Sequence, residues 1–320
     1  MKALRKLLIL LFSLVVFYSS VMAKKVVVHF VGGDVPDTLQ TIITRNVNTF
    51  ISTISSSSNN RIYPKEIVDN PNVYKFMQSN SIICEDIDDV YVCRVKKNGY
   101  EIRNLYVKVV QGDSIDAERK LTIDISSKGI IENVLFSIDD ILYSNVFVKD
   151  TAPSMLNTDS ISIEDCSTFE DKTAVVNLIE MYQTSFENKD MVFIEKLFSE
   201  DALIITGANV IRYNSNNVYQ GDSKIYYQKQ SKADYLQLIK RDMHRNEKTK
   251  IHISDIEIVK HPSNKQIYGV TIVQQYKSGN HSDNSKLFLL VDASTENLKI
   301  LKRVFLPKER SIDIRDFHIK

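Results

Sequence analysis

Residues 173–207 carry the hydrophobic pattern around which the rest of the chain is organised. Apolar positions recur there every three or four residues, at Val175, Ile179, Tyr182 and Phe186. That spacing lays one continuous stripe along an α-helix. Asp190, a favourable N-cap residue, precedes a second short stripe, and residues 202–206 form an apolar, β-branched run of strand length. The pattern predicts a long helix, a short helix and the first strand of a sheet.

The remainder of the second half alternates between helical and strand patterns. A polar, tyrosine-containing loop is expected at 211–230, followed by a helix that Ser231 caps, with Tyr235, Leu236, Ile239 and Met243 on one side. Strands are predicted at 249–260, 266–277, 285–292 and 298–306. In the first of these strands the apolar positions change from odd to even numbers at Ser254 and Asp255. This change predicts a β-bulge, which would bend a long strand.

The first half has the same order of patterns. A strand-like run, VVVHF, leads to a helical stripe formed by Leu39, Ile43, Val47, Phe50 and Ile54. Candidate strands follow at 81–86, 90–97, 99–111, 118–126 and 129–138, with turn residues such as Asn98 and Gly99 between them. The polar stretch 151–168 lacks sustained periodicity and is the predicted linker. Both halves therefore place a long helix before a sheet, which indicates an α+β protein with two similar domains.

The first 23 residues differ from the rest of the chain. Three basic residues, Lys2, Arg5 and Lys6, precede the apolar run 7–18, and small residues follow at Val21 and Ala23. This is the pattern of a secretory signal peptide, so the protein is expected in the periplasm or outside the cell. A retained membrane anchor is the alternative, although the run is shorter than the roughly 20 residues that span a bilayer.

Charge and motifs exclude several classes of function. The 41 Lys and Arg residues nearly balance the 40 Asp and Glu residues, so the clustered positive charge that nucleic-acid binding requires is not indicated. The six histidines and three cysteines show no metal-ligand spacing. Phosphate-binding and serine-nucleophile motifs are also missing from the sequence, so we expect neither a cofactor nor a metal ion.

Two cysteines lie in neighbouring predicted strands. If the turn at Asp88 and Asp89 is a two-residue loop, Cys84 faces Cys93 at a non-hydrogen-bonded position, where Cα atoms are roughly 4.5 Å apart. Export to an oxidising compartment would favour a disulfide between them. Two buried free thiols are the alternative, and Cys166, in the predicted linker, is expected to be unpaired.

The second half resembles the nuclear transport factor 2-like superfamily, which includes SnoaL-like and ketosteroid-isomerase-like proteins and has a cystatin-like α+β fold. The matching stretches are FSEDALIITG (198–207), YQKQSK (227–232), HPSNKQIYGVTIVQ (261–274) and KLFLLVD (286–292), together with Arg303 in the last strand. The first half resembles exported bacterial members with a similar N-terminal half through the spacing of its first two cysteines and GYEIRN (99–104).

The resemblance implies two tandem cone-like domains, each with a long helix packed on a curved antiparallel sheet. The expected boundaries are a signal peptide at 1–23, an N-terminal domain at 24–150, a linker at 151–168, a C-terminal domain at 169–310 and a tail at 311–320. The family's cone can hold an apolar ligand, a catalytic pair or nothing, so the fold leaves the function open.

Aromatic and polar residues of the second half suggest where a ligand would bind. Tyr182, Phe186 and Tyr235 are predicted to face the sheet, and Gln274, Tyr276 and Arg303 lie on its strands. Aromatic walls with a few convergent polar groups are typical of small-molecule sites, although the same residues could be ordinary core residues. The candidate catalytic base is Asp201, for which a turn or cap carboxylate is the simpler interpretation. His261 precedes a proline and is interpreted as a turn residue.

Two functions follow from these patterns. The first is an exported, non-catalytic binding protein that holds a small apolar ligand in the cone or a protein partner on a sheet face. Phe288 and Leu290 alternate with other apolar residues, so both faces of that strand are apolar, and one of them could form a homodimer interface. The alternative is a SnoaL-like lyase or isomerase that acts on an apolar cyclic substrate.

Overall fold

The structure of the chain is a computed structural model. It describes residues 26–55, 66–84, 90–111, 114–148, 163–213, 219–246, 248–295, 297–307 and 310–314. The predicted signal peptide, residues 1–23, lies outside the described residues. The chain forms two compact units, Met1–Val134 and Leu135–Lys320. No helix in the described part of the chain is long and apolar enough to cross a membrane.

In its described residues the first unit contains a six-stranded sheet and two helices. In chain order the elements are β1 (Val27–Val31), α1 (Asp37–Ser55), α2 (Pro71–Ser79), β2 (Ser81–Ile83), β3 (Val90–Lys96), β4 (Gly99–Gln111), β5 (Ser114–Ile125) and β6 (Ile131–Phe136). The strands are ordered β1-β3-β4-β5-β6, and β2 pairs with β4. The helical stripe predicted for α1 is confirmed, since Ile43, Val47, Phe50 and Ile54 are completely buried.

The predicted disulfide is wrong, because Cys84 and Cys93 are two buried thiols that are not bonded to each other. The expected hairpin between their strands does not form, since β2 and β3 each pair with β4 instead. Cys93 is opposite Ile102, whereas the Cys84 thiol donates a hydrogen bond to the carbonyl oxygen of Tyr106 at 3.4 Å. These positions are four residues apart on β4, or roughly 13 Å at the rise of an extended strand. A disulfide requires Cα atoms within about 7 Å.

The burial of these thiols predicts low reactivity. Burial, assisted by the nearby Glu101 carboxylate, raises the pKa of the Cys93 thiol to about 12, so the reactive thiolate is scarce at neutral pH. We expect maleimide to leave Cys84 and Cys93 unmodified in the folded protein and to label both in guanidinium chloride without reductant. Peptide mass spectrometry would measure the labelling. A cross-linked peptide that contains both residues in a non-reduced digest would contradict the structure.

The part of the second unit that the structure describes contains the other six-stranded sheet and four helices. Its elements are α3 (Asp140–Val148), α4 (Ile163–Glu187), α5 (Met191–Leu197), β7 (Phe198–Tyr213), β8 (Tyr219–Gln230), α6 (Lys232–Arg245), β9 (Thr249–Lys260), β10 (Ile267–Ser278), β11 (His281–Asp292) and β12 (Lys299–Leu306). The strand order is β8-β7-β12-β11-β10-β9. Residues 211–230, predicted as a loop, instead include the end of β7 and all of β8.

The predicted α+β fold with two helix-plus-sheet domains is confirmed, but the sheets are mixed rather than antiparallel. β1 pairs with β3, and β12 pairs with β7, in parallel orientation. In each case at least one helix lies between the two strands in the chain, and a connection that contains a helix can return a strand in the same direction. Hydrophobic periodicity carries no information on strand direction, so the sequence could not reveal these pairs.

The bulge predicted in β9 is confirmed. Val273 of β10 pairs with Asp255 and Gln274 pairs with Ile253, so Ser254 is the extra residue. Because of this insertion, Ile251, Ile253, Ile256 and Ile258 are all buried although their numbering changes parity.

The boundary between the units lies earlier than the predicted end of the first domain. Ile138 and Val146 belong to the hydrophobic core of the second unit. The backbone N–H of Ile138 donates to Glu180 Oε1 of α4 at 2.8 Å, which fixes this segment to the second unit's long helix. Helix α4 begins at Ile163, so it also includes residues that were predicted as linker.

Both faces of the second sheet are apolar, as the pattern of β11 suggested. Leu287, Leu289 and Val291 face the main core beneath the helices. On the opposite face Phe288 and Leu290 form a smaller cluster with Ile314, from the C-terminal segment. The chain itself therefore covers the part of this face that had been considered for a homodimer interface.

Candidate functional site

Arg303 is placed inside the second unit by an irregularity in β12. Lys302 pairs with Leu290 and Ile300 pairs with Val291, so Leu301 is an extra residue in β12. Without it, strand alternation from the buried Ile300 would turn Lys302 inward. With it, Arg303 lies between Leu289 and Ile204 on the inner face of the sheet.

The Arg303 side chain is buried, and no acidic partner for it is found among the described residues. Only 8% of the residue is exposed, and its guanidinium lies over the Tyr235 ring at 5.2 Å from the centroid. Among the described residues it forms no ion pair, and its Nε atom has no hydrogen-bond acceptor. A buried guanidinium normally pairs with a carboxylate, so this arrangement leaves a donor unsatisfied.

Arg303 and Tyr235 belong to a cluster of polar side chains that also includes Tyr182 of α4 and Gln274 of β10. The Tyr182 hydroxyl donates to Gln274 Oε1 at 3.4 Å, and Gln274 Nε2 donates to Ser285 Oγ at 3.2 Å. Tyr182, Gln274 and Ser285 are buried. The Tyr182 hydroxyl also contributes to the electrostatic environment of both Arg303 and Tyr235.

Asp242 of α6 organises the other end of the cluster. Its Oδ2 atom accepts hydrogen bonds from the Tyr276 hydroxyl at 2.7 Å and from Ser278 Oγ at 3.1 Å. Its Oδ1 atom accepts one from Asn246 Nδ2 at 2.9 Å. Three donors thus engage this carboxylate. The sequence analysis missed Asp242, although its position seven residues after Tyr235 places it beside the same helical stripe.

The cluster offers hydrogen-bond donors at neutral pH. Burial raises the pKa values of Tyr235 and Tyr276 above the ordinary phenol range, and Asp242 adds to the shift at Tyr276. Burial opposes the charge of Arg303, but its neighbours Tyr235 and Tyr182 favour the charged form, and the guanidinium pKa lies above its usual value. The Tyr235 and Tyr276 phenols therefore stay protonated while Arg303 stays charged.

Aromatic rings surround these polar groups. The rings of Tyr182 and Phe186 lie 4.7 Å apart, and Phe198 meets Tyr235 edge-on at 5.6 Å. Phe186 and Phe198 are buried. Such rings supply apolar contact area beside the donors. The structure thus brings together all six residues of the predicted pocket: Tyr182, Phe186, Tyr235, Gln274, Tyr276 and Arg303.

The candidate base Asp201 is not part of this cluster. It lies in β7 and is exposed, whereas the next residue, Ala202, is buried in the core together with Ile204. Strand alternation therefore directs Asp201 to the other face of the sheet. His261 is buried, and its Nδ1 atom accepts from the backbone N–H of Asn264 at 3.1 Å, which is a turn contact. Within the described ranges no three His, Cys, Asp or Glu residues are grouped to hold a metal ion.

Comparison with solved structures finds several similar chains at low sequence identity. One is Bd1075 of Bdellovibrio bacteriovorus, at 13% identity and a TM-score of 0.34, covering 69% of this chain and 94% of that one. Another is an NTF2-like protein of unknown function from Shewanella baltica, at 13% identity and a TM-score of 0.30, covering 43% of this chain and 94% of that one. A third is a protein with a cystatin-like fold from Nostoc punctiforme, at 10% identity and a TM-score of 0.29, covering 42% of this chain and 88% of that one.

Comparison of the sequence with curated proteins finds no match. A family profile does match: residues 213–303 correspond to the Cds6 C-terminal NTF2-like domain. This stretch contains α6, which bears Tyr235, and most of the mixed sheet, which bears Gln274 and Arg303. The C-terminal domain of the chain therefore belongs to the nuclear transport factor 2-like superfamily.

Proposed function

We propose that the protein is an exported, non-catalytic binding protein whose second unit holds a small amphipathic acid in its cone. The carboxylate of the ligand would be bound by Arg303, and its apolar part would lie against the aromatic rings. Export rests on the basic and apolar pattern of residues 1–23. The NTF2-like fold is shared by ligand-binding proteins and by isomerases, so the proposal depends on the site itself.

The observation that carries the proposal is the buried Arg303 guanidinium, which has no carboxylate partner in the described part of the chain. Removing an ion from water costs several kcal/mol, which a protein normally offsets with an opposite charge and hydrogen bonds. Arg303 has an aromatic neighbour in Tyr235 but no acid among the described residues. A carboxylate ligand would supply the missing charge and an acceptor for Nε.

The neighbouring groups favour the same class of ligand. Burial keeps the Tyr235 hydroxyl protonated by raising its pKa, so this group can donate a hydrogen bond to an acceptor on the ligand. Phe186 and Phe198 supply the apolar surface that small-molecule sites commonly use. An aromatic or medium-chain carboxylic acid combines the two requirements.

The residues fit binding better than acid–base catalysis. A lyase or isomerase needs a carboxylate or imidazole that can accept a proton from the substrate. Asp242, the carboxylate in contact with Tyr276, already accepts three hydrogen bonds. Asp201 is exposed and directed away from the core.

A thermal-shift screen of the purified protein tests the proposal. We expect cinnamate, benzoate or octanoate to raise the unfolding temperature, because a ligand at 100 times its Kd stabilises the folded state by about 2.7 kcal/mol. The matched neutral probes, cinnamyl alcohol, benzyl alcohol and octanol, should have smaller effects. Equal shifts from acids and alcohols would contradict a role for the guanidinium, and no shift from any probe would remove the cone as a binding site for this class.

A further inference from the structure

A groove in the first unit lies between β1 and α1. It has a volume of about 670 Å³, and its lining includes Val28 and Phe30 of β1 and Gln40, Thr44, Arg45 and Asn48 of α1. The helix contributes polar side chains at spacings of three and four residues, so they form one stripe beside the strand. This groove belongs to the other unit and is separate from the cone.

β1 is the terminal strand of its sheet, and among the described residues it pairs only with β3. Just before β1 begins, a side chain of α1 already takes the place of a neighbouring strand. The backbone N–H of Val26 donates to Asn48 Oδ1 at 2.6 Å, and Asn48 Nδ2 donates to the Val26 carbonyl at 2.9 Å. A side-chain amide thus makes the two hydrogen bonds that a neighbouring strand would make.

The direction of the backbone N–H and C=O groups alternates along β1, so further unpaired groups are expected on the edge where Val26 meets Asn48. In an extended chain the backbone groups of every second residue point to the same side. The N–H and C=O groups of Val28 and Phe30 are therefore on the side where Val26 meets Asn48. Open edges of this kind accept an additional extended chain, which pairs through its backbone.

Two opposite charges lie along the groove. Arg45 is exposed, with Nε and Nη2 each 3.3 Å from Asn46 Oδ1, and it has no acidic partner among the described residues. Asp37 lies at the start of the helix, eight residues earlier, which is about 12 Å at the rise of an α-helix. In an extended peptide, side chains four residues apart lie on one face and are separated by about 13 Å.

We propose that this groove binds an extended polypeptide segment that adds to the open edge of β1. An acidic residue of the segment contacts Arg45, and a basic residue four positions away contacts Asp37. Specificity comes from these charges, while the backbone hydrogen bonds of Val28 and Phe30 give the segment its orientation. The proposal goes beyond ligand binding in the second unit and does not depend on it.

Fluorescence anisotropy with labelled, terminally blocked peptides tests the proposal. The probes are two peptides of alternating valine and threonine with Glu and Lys four positions apart, one in each order, because the segment can run in either direction. We expect one order to bind and Arg45→Glu to weaken it at least tenfold. Arg303→Met, which alters only the second unit, should leave peptide binding unchanged.

N-methylated versions of the peptide that binds separate strand addition from charge attraction alone. Methylation of alternate amides on the edge that faces β1 should abolish binding, whereas methylation of the other alternate set should leave it within about threefold. Equal effects of the two sets, or no binding by either charge order, would overturn the proposal. Loss of acid binding in the cone with intact peptide binding would contradict only the proposed function of the second unit.

Discussion

Arg303→Met should abolish the preference for acidic ligands without unfolding the protein. Methionine fills much of the same volume without a charge, so the variant avoids desolvating an unpaired guanidinium. Against this gain stands the lost contact with the Tyr235 ring, for which about 0.5–2 kcal/mol is typical. We therefore expect the free energy of unfolding without ligand to fall by no more than about 1 kcal/mol, or to rise.

In contrast to stability, the affinity for an acidic ligand should fall strongly in Arg303→Met. A hydrogen bond to a charged group contributes about 1.5–3 kcal/mol, so an acid that binds the wild-type protein should bind Arg303→Met about 10- to 100-fold more weakly. Calorimetric titration and denaturant unfolding of the same preparation measure the two effects. Arg303→Lys is the matched control, since it keeps the charge but loses the planar guanidinium. Its affinity for the acid should lie between those of the wild-type protein and Arg303→Met. A large loss of stability in Arg303→Met with unchanged affinity would assign Arg303 a purely structural role.

The apolar stripe of α4 could be predicted because its residues are regularly spaced and lie on one buried face. Val175, Ile179, Tyr182 and Phe186 are almost completely inaccessible. The bulge at Ser254 was predictable for a similar reason, since the apolar residues on both sides of it keep their buried face.

The site could be predicted only in part. The aromatic members were found because aromatic residues on core-facing stripes are easily recognised. The inward direction of Arg303 depends on the extra residue Leu301 in β12, and that irregularity is defined by pairing with β11. Asp242 is polar, so the pattern of apolar positions does not identify it.

Two errors concern the strands of the sheets. The cysteine prediction assumed that strands close in sequence pair with each other, whereas β2 and β3 both join β4. The second error was the loop predicted at 211–230. β8 is an edge strand with consecutive exposed residues, from Tyr226 to Lys229, so it lacks the alternation that identifies a half-buried strand.

Gly99→Ala should destabilise the first unit by about 3 kcal/mol or more, because two independent constraints require glycine there. Gly99 begins β4 and has a φ of 138°, a conformation that residues with a side chain rarely adopt. A Cβ at this position would also overlap the backbone carbonyl oxygen of Ile125, on the adjacent β5. A carbonyl within a sheet ladder cannot move away as a flexible side chain could.

Gly33→Ala is the control for this substitution within the same unit. An added Cβ there would meet the Val95 side chain at 3.5 Å, which is ordinary van der Waals contact. We expect its effect to be within about 0.5 kcal/mol, as for most substitutions without a special mechanism. Urea unfolding monitored by circular dichroism would compare the two variants. Because β1 pairs with β3, and β3 is joined to β4 by the turn before Gly99, Gly99→Ala should also weaken peptide binding in the groove. Similar stability of the two variants would show that the β3–β4 hairpin does not require the observed backbone geometry.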